Sequence, residues 1–152
     1  MAKQSAGILM YRRSGGTLEV LLVHPGGPFW AKKDAGSWSI PKGEFEAGED
    51  PWTAAQREFA EETGASIDGS ATELTPVKQP SGKVVHAFAI EGDFDPATLK
   101  SNTFELEWPK GSGRKRQVPE VDKAAWFDVA EAGTRILAGQ LPILVDLLKR
   151  LG

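Results

Sequence analysis

The stretch GEFEAGEDPWTAAQREFAEETGA, Gly43 to Ala65, limits what this chain can fold into more than any other. Asp50 is a good helix cap, Pro51 suits the first helical position, where a missing N–H is no loss, and Gly64 tolerates the left-handed backbone that ends helices. These signals predict a helix over Pro51 to Thr63. At about 100° per residue, Trp52, Ala55, Phe59 and Thr63 fall on one side of it, while Glu58, Glu61 and Glu62 gather on another. One face packs and its neighbour is acidic. Like charges three and four residues apart repel by roughly 0.2–0.5 kcal/mol per exposed pair, and by more when partly covered. A hard divalent cation reverses the sign of that interaction, because Mg²⁺ and Mn²⁺ favour oxygen ligands. A solvated acidic face partly neutralised by Arg57 accounts for the same pattern, and the helix alone leaves both readings open.

Around this helix the sequence reads as strands. SAGILMYRR and TLEVLLVHP are β-rich runs split by Ser14-Gly15-Gly16, which predicts an antiparallel hairpin. GGPFWAKKDAGSWSIPKG reads as a long loop with a short strand at Trp38 to Ile40. TELTPVKQP and KVVHAFAIEGDF predict a second hairpin turning at Pro80-Ser81-Gly82. NTFELEW and AAWFD are further strands, with GSGRKRQ a flexible basic loop between them. From Asp128 the pattern turns helical, and Leu141, Leu144, Val145, Leu148 and Leu151 recur at helical spacing. No repeat or linker interrupts the chain, so the expectation is one domain over residues 1–152, an α/β sandwich around a mixed sheet.

Composition removes several classes of function. A net charge of −3 argues against a general nucleic-acid binder, and the absence of cysteine rules out disulfides, thiolate metal sites and cysteine nucleophiles. The apolar run in MAKQSAGILMYRRS is short for a signal peptide, and no segment approaches the ~18 apolar residues of a membrane span. A cytoplasmic protein is expected.

Gly43, Glu49, Arg57, Glu58, Phe59, Glu61, Glu62, Gly64 and Ala65 fit the pattern G-x5-E-x7-R-E-U-x-E-E-x-G-U, where U is a bulky apolar residue. By this motif the chain resembles the Nudix hydrolases. All seven fixed positions match. The departures fall at U positions, where Phe59 is aromatic and Ala65 small. The resemblance implies a Nudix-type α/β/α sandwich with one catalytic helix and a C-terminal helix. It implies hydrolysis of a nucleoside diphosphate linked to another group, with Mg²⁺ as cofactor and Mn²⁺ as a substitute. Carried over by position, Glu58, Glu61 and Glu62 become metal ligands, joined by the Gly43 carbonyl, with Glu58 also a candidate base. Arg57 orients the carboxylates and Glu49 backs them.

Outside the motif the signals are weaker. Lys42 is a candidate phosphate ligand, and Phe29 and Trp30 are candidates to stack on a base or, equally, to plug the loop. Some family members take the general base from a later loop, and Glu120 is the candidate here. Glu105 and Glu107 alternate with Phe104, Leu106 and Trp108 as a half-exposed strand does. His24 and His86 read as satisfied structural histidines. Lys110, Arg114, Lys115 and Arg116 read as a solvated basic loop, with phosphate contacts as the alternative. The substrate reading is a dinucleoside polyphosphate or nucleoside triphosphate, handled by a monomer or homodimer. Family members that cleave dinucleoside polyphosphates often carry a tyrosine a short way after the motif, where this chain has Ser81, Gly82 and Lys83 instead, and ADP-ribose hydrolases often carry a proline where Pro80 stands, which keeps ADP-ribose open. An RNA 5′ end and a non-catalytic nucleotide-binding module are the remaining alternatives.

Overall fold

A computed structural model describes residues 3–151. The strands are β1 (Gln4–Ser14), β2 (Thr17–Pro25), β3 (Lys42–Glu44), β4 (Thr72–Glu73), β5 (Val77–Lys78), β6 (Val84–Glu91), β7 (Thr103–Glu107), β8 (Lys115–Pro119) and β9 (Val121–Asp128). The helices are α1 (Pro51–Thr63), α2 (Val129–Arg135) and α3 (Leu141–Leu151). The main sheet runs β4-β6-β1-β2-β9, with β3 on β1 and β5 on β6. It is mixed, because β1 lies parallel to β6 and antiparallel to β2 and β3. β7 and β8 form a separate two-stranded ribbon.

The sheet is covered on both faces, which is why β1 and β2 read as almost unbroken apolar runs. Ala6, Ile8, Met10, Leu21 and Val23 point toward α1, where they pack with Ala54, Ala55 and Phe59. Their neighbours Leu9, Val20 and Leu22 point the other way, toward Ala132, Ile143, Leu144 and Leu147 of α2 and α3. Alternation along two strands thus builds two cores, and the result is the α/β/α sandwich expected from the sequence. Phe59 is completely buried, its ring edge-on to Phe94 at 6.4 Å. Burying a ring of that size stabilises the fold by about 1.5–3 kcal/mol, so the aromatic departure from the motif is accommodated by packing.

Three local expectations are corrected. Trp38 to Ile40 is no strand, because Trp38 and Ser39 make only isolated bridges to Ile136 and Val23. The basic segment stays outside the strands only in its first half, since Lys115–Pro119 pairs with β7 as β8. The leucine stripe of the C-terminal helix is largely outward, with Leu141, Val145 and Leu148 exposed while Ile143, Leu144 and Leu147 are buried. The two predicted hairpins are present, the second split into β4 and β5 against β6. Among the described residues no helix is long and apolar enough to cross a membrane.

Candidate active site

α1 begins and ends where its caps predict. The Asp50 carboxylate accepts from the Thr53 amide at 3.0 Å, Pro51 occupies the first turn, and Gly64 adopts φ 82° while its N–H returns to the Ala60 carbonyl. The helix lies against β1 and β3, and that contact places Glu58 at its most crowded point. Glu58 is buried, and its carboxylate rests directly on Gly43 of β3. A Cβ at residue 43 would sit 1.9 Å from Glu58 Oε1. Only glycine leaves room for the carboxylate there.

Arg57 knits this face together. It donates Nε and Nη2 to the two oxygens of Glu49 at 3.2 and 3.1 Å, and Nη1 to Glu58 at 2.6 Å and Glu61 at 3.4 Å. The two-pronged contact to Glu49 fixes the guanidinium plane, which in turn fixes Glu58. Its hydrogen bonds to Glu49, and then to Glu58, hold the arginine more firmly charged than usual. Arg57 thus ties Glu49 to Glu58 and Glu61.

The remaining carboxylates converge on the same place. Burial raises Glu58 above the ordinary carboxylate range, with the Glu61 charge adding to it and Arg57 opposing. Burial, and then the Glu58 charge, push Glu62 up to about 8. Burial and the Glu61 charge likewise raise Glu120. Glu58, Glu61, Glu62 and Glu120 therefore sense one another across two segments far apart in sequence. The link between those segments is Asn102, whose N–H donates to the Glu61 carbonyl and whose carbonyl accepts from the Glu120 N–H, both at 2.8 Å. Lys42 is partly buried beside them, its pKa lowered first by burial, and its backbone N–H donates to Glu62 Oε1 at 3.3 Å.

Among the described residues no three carboxylates or imidazoles stand close enough together to hold a metal ion as they are placed. The donor set nevertheless fits a hard divalent cation. Its ligand atoms are all oxygens, they crowd and repel one another in partial burial, and a cation removes the penalty that raises their pKa values.

A cavity of about 200 Å³ opens beside the carboxylates, lined by Trp30, Lys42, Glu62 and Glu120 together with Ser37, Ser39, Val23, Pro25, Val121 and Leu137. Trp30 is thus brought to the site, whereas Phe29 stands outside the pocket wall, 57% exposed and edge-on to Trp30 at 5.1 Å. The loop carrying both rings is pinned from beneath. His24 is fully buried, with Nδ1 2.8 Å from Asp122 Oδ1 and Nε2 2.6 Å from the Lys33 carbonyl. Asp34 accepts from Trp38 Nε1 and Arg135 Nη1 at 2.7 and 2.5 Å. His24 is therefore satisfied, as the sequence suggested, and so is His86, which meets Gln4 at 2.7 Å. Pro80 sits exposed in the β5–β6 turn and does not line the pocket. Glu105 pairs with Lys115, and Glu107 accepts from the Gly111 N–H, the structural roles expected of them. Asn102, Asp34 and Asp122 carry no sequence signal and emerge only from the fold.

The model of the NUDIX domain family matches residues 1–147. The chain belongs to the NUDIX domain family. Within that family, a 62-residue segment is 39% identical to the asymmetrical bis(5'-nucleosyl)-tetraphosphatase of Caenorhabditis elegans, a match covering 41% of each protein. The match thus spans about two-fifths of that relative's length. Two solved NUDIX structures have the same fold. The NUDIX domain of Shewanella oneidensis NrtR, complexed with ADP ribose, superposes with a TM-score of 0.68 at 17% identity, covering 100% of this chain and 90% of that one. The C. elegans Ap4A hydrolase binary complex gives 0.64 at 21% identity, covering 99% and 98%.

Proposed function

We propose that this NUDIX chain is a divalent-metal-dependent pyrophosphohydrolase whose substrate is a dinucleoside polyphosphate or nucleoside triphosphate. The observation that carries the reading is a pocket lined by Glu62 and Glu120 together with Lys42 and Trp30, with Glu58 and Glu61 close enough to shift the pKa values of those two carboxylates. A protein does not gather partly buried like charges without cost, and an oxygen-binding cation offsets that cost. The segment shared with a tetraphosphatase supports the same substrate class.

Glu58, Glu61, Glu62 and the Gly43 carbonyl are the proposed ligands. When bound there, Mg²⁺ or Mn²⁺ neutralises pyrophosphate charge and acidifies water. Arg57 and Glu49 keep Glu58 aimed. The Lys42 ammonium, whose charge burial disfavours and Glu62 and Glu44 partly restore, holds a phosphate oxygen. Trp30 offers a flat face to a base. Glu120, its pKa raised by burial and then by the Glu61 charge, takes the proton of the water that attacks phosphorus as the bridging P–O bond breaks. The leaving phosphate departs with that oxygen, so each product ends in a phosphate.

Product analysis over a nucleotide panel tests this reading. Diadenosine tetraphosphate should give ATP plus AMP, or a nucleoside triphosphate its monophosphate plus pyrophosphate, with turnover lost in excess chelator and restored by Mg²⁺ or Mn²⁺. Full turnover in chelator overturns the metal assignment. ADP-ribose outpacing both nucleotides by a wide margin overturns the substrate assignment.

A further inference from the structure

The β7–β8 ribbon ends at Pro119, one residue before Glu120 of the pocket lining, and its two faces differ. Register pairs Phe104 with Val118 and Leu106 with Arg116, so these four side chains share one face. The Trp108 N–H donates to the Arg114 carbonyl at 2.9 Å, which carries the same register one step further. The opposite face satisfies itself, with Lys115 on Glu105 at 3.6 Å and Thr103 on Gln117 at 3.0 Å. On the first face Arg114 and Arg116 take part in no ion pair among the described residues, and Phe104 and Trp108 are 39% and 37% exposed.

The root of that face packs on the loop after β2. A Cβ on Gly27 would lie 3.9 Å from both Leu106 and Val118, so the ribbon abuts the loop that carries Phe29 and Trp30. The ribbon is rooted in the carboxylate cluster as well. Asn102, just before β7, bonds to the Glu61 and Glu120 backbones, and the Gly26 N–H donates to the Glu120 carbonyl at 3.0 Å. Ribbon, aromatic loop and proposed base thus spring from one point.

We propose that this ribbon face, with Phe104, Trp108, Arg114 and Arg116 beside the Phe29 loop, is a subsite for the distal nucleotide of a dinucleoside polyphosphate. The inference rests on the hydrolase reading above. Exposed rings accept a base by stacking, which needs no particular edge, and the arginines match the adjoining phosphates. The occupant is one nucleotide because the cationic surface is short. Two free arginines meet one or two phosphates, whereas a polynucleotide needs a longer basic track than a chain of net charge −3 offers here.

Calorimetry with non-hydrolysable methylene-bridged analogues of diadenosine tetraphosphate and of ATP, in Mg²⁺, tests the subsite on the intact chain. The wild type should bind the dinucleotide analogue about tenfold or more tightly than the ATP analogue. Trp108→Ala should weaken the dinucleotide by about 5- to 150-fold, the range of one base–aromatic stack, and far more than it weakens the ATP analogue. Arg116→Gln, a milder surface change, should erode the same preference and flatten its salt dependence. Equal weakening of both analogues, no preference in the wild type, or a preference untouched by either variant overturns the subsite. So does a ribbon-dependent gain that appears only with 5′-triphosphate RNA. Turnover assayed in parallel separates the two ideas. Ribbon-dependent binding without hydrolysis sinks the hydrolase reading and leaves the subsite standing, while hydrolysis without ribbon dependence does the reverse.

Discussion

Helix α1 takes Glu58 out of water with one arginine for company, whereas the β7–β8 ribbon leaves Arg114 and Arg116 exposed and in no ion pair among the described residues. Both regions are charged, but the physical consequences differ. On α1 the charges are close and partly desolvated, so they shift one another's pKa and depend on the surrounding fold for their geometry. On the ribbon the charges are screened and free to move, and they affect the fold little. The contrast separates chemistry from recognition. Changes on α1 and its partner Glu120 should alter turnover or metal affinity, whereas changes on the ribbon should alter which ligand is held.

The largest effect is expected at Glu120, the one carboxylate of the cluster that does not lie on α1. Glu120→Gln keeps shape and removes the proposed base, so turnover should fall by about 100- to 10,000-fold while metal affinity stays near wild type. Normal turnover in this variant would remove Glu120 from the chemistry and send the search for a base back to Glu58.

Arg57→Ala comes next. It removes a group that orients ligands without being one, and a loss of about 10- to 100-fold in activity or metal affinity is expected. Melting should change little, since the guanidinium is part-exposed and its ion pairs contribute modestly to folding. Collapse of the fold with no separate catalytic defect would recast Arg57 as a structural tie.

The effect smallest on function, since it leaves turnover aside, is one of stability in the metal-free protein. Glu62 is raised to about 8 in the folded chain, well above an unfolded glutamate, so the native state holds its proton longer. Between about pH 4.5 and 8 the native state therefore binds more protons than the unfolded one, and stability must fall as pH rises through that window. In chelator, wild type should lose stability on the order of a few kcal/mol across the window, and Glu62→Gln should lose much less. Parallel curves for the two proteins would show that Glu62 titrates normally.

Some of this was legible in the sequence for definite reasons. α1 was readable because its caps, Asp50, Pro51 and Gly64, act on adjacent backbone, and its acid face because helical spacing is a local rule. The β1–β2 hairpin was readable for the same reason. β8 was misjudged because Arg114, Lys115 and Arg116 resemble a loop by composition, while pairing with β7 decides the matter. Trp38 to Ile40 failed in the opposite direction, having strand residues but no continuous ladder. The α3 stripe misled because leucines line two sides of the helix, and only the sheet determines that Ile143, Leu144 and Leu147 go inward. Asn102 and Asp122 were invisible, since a lone polar residue announces nothing until the fold brings Glu61 or His24 to it.

The central claim is that the glutamates of α1 hold a divalent cation, and metal titration of the apo protein tests it without any substrate. Mn²⁺ binding can be followed by the loss of free-ion paramagnetic signal in wild type, Glu62→Gln and Glu120→Gln. Glu62→Gln should bind Mn²⁺ about tenfold or more weakly, at least the penalty seen when a group that merely supports a ligand is removed. Glu120→Gln should match the wild type. Unchanged Mn²⁺ affinity in Glu62→Gln would contradict the account.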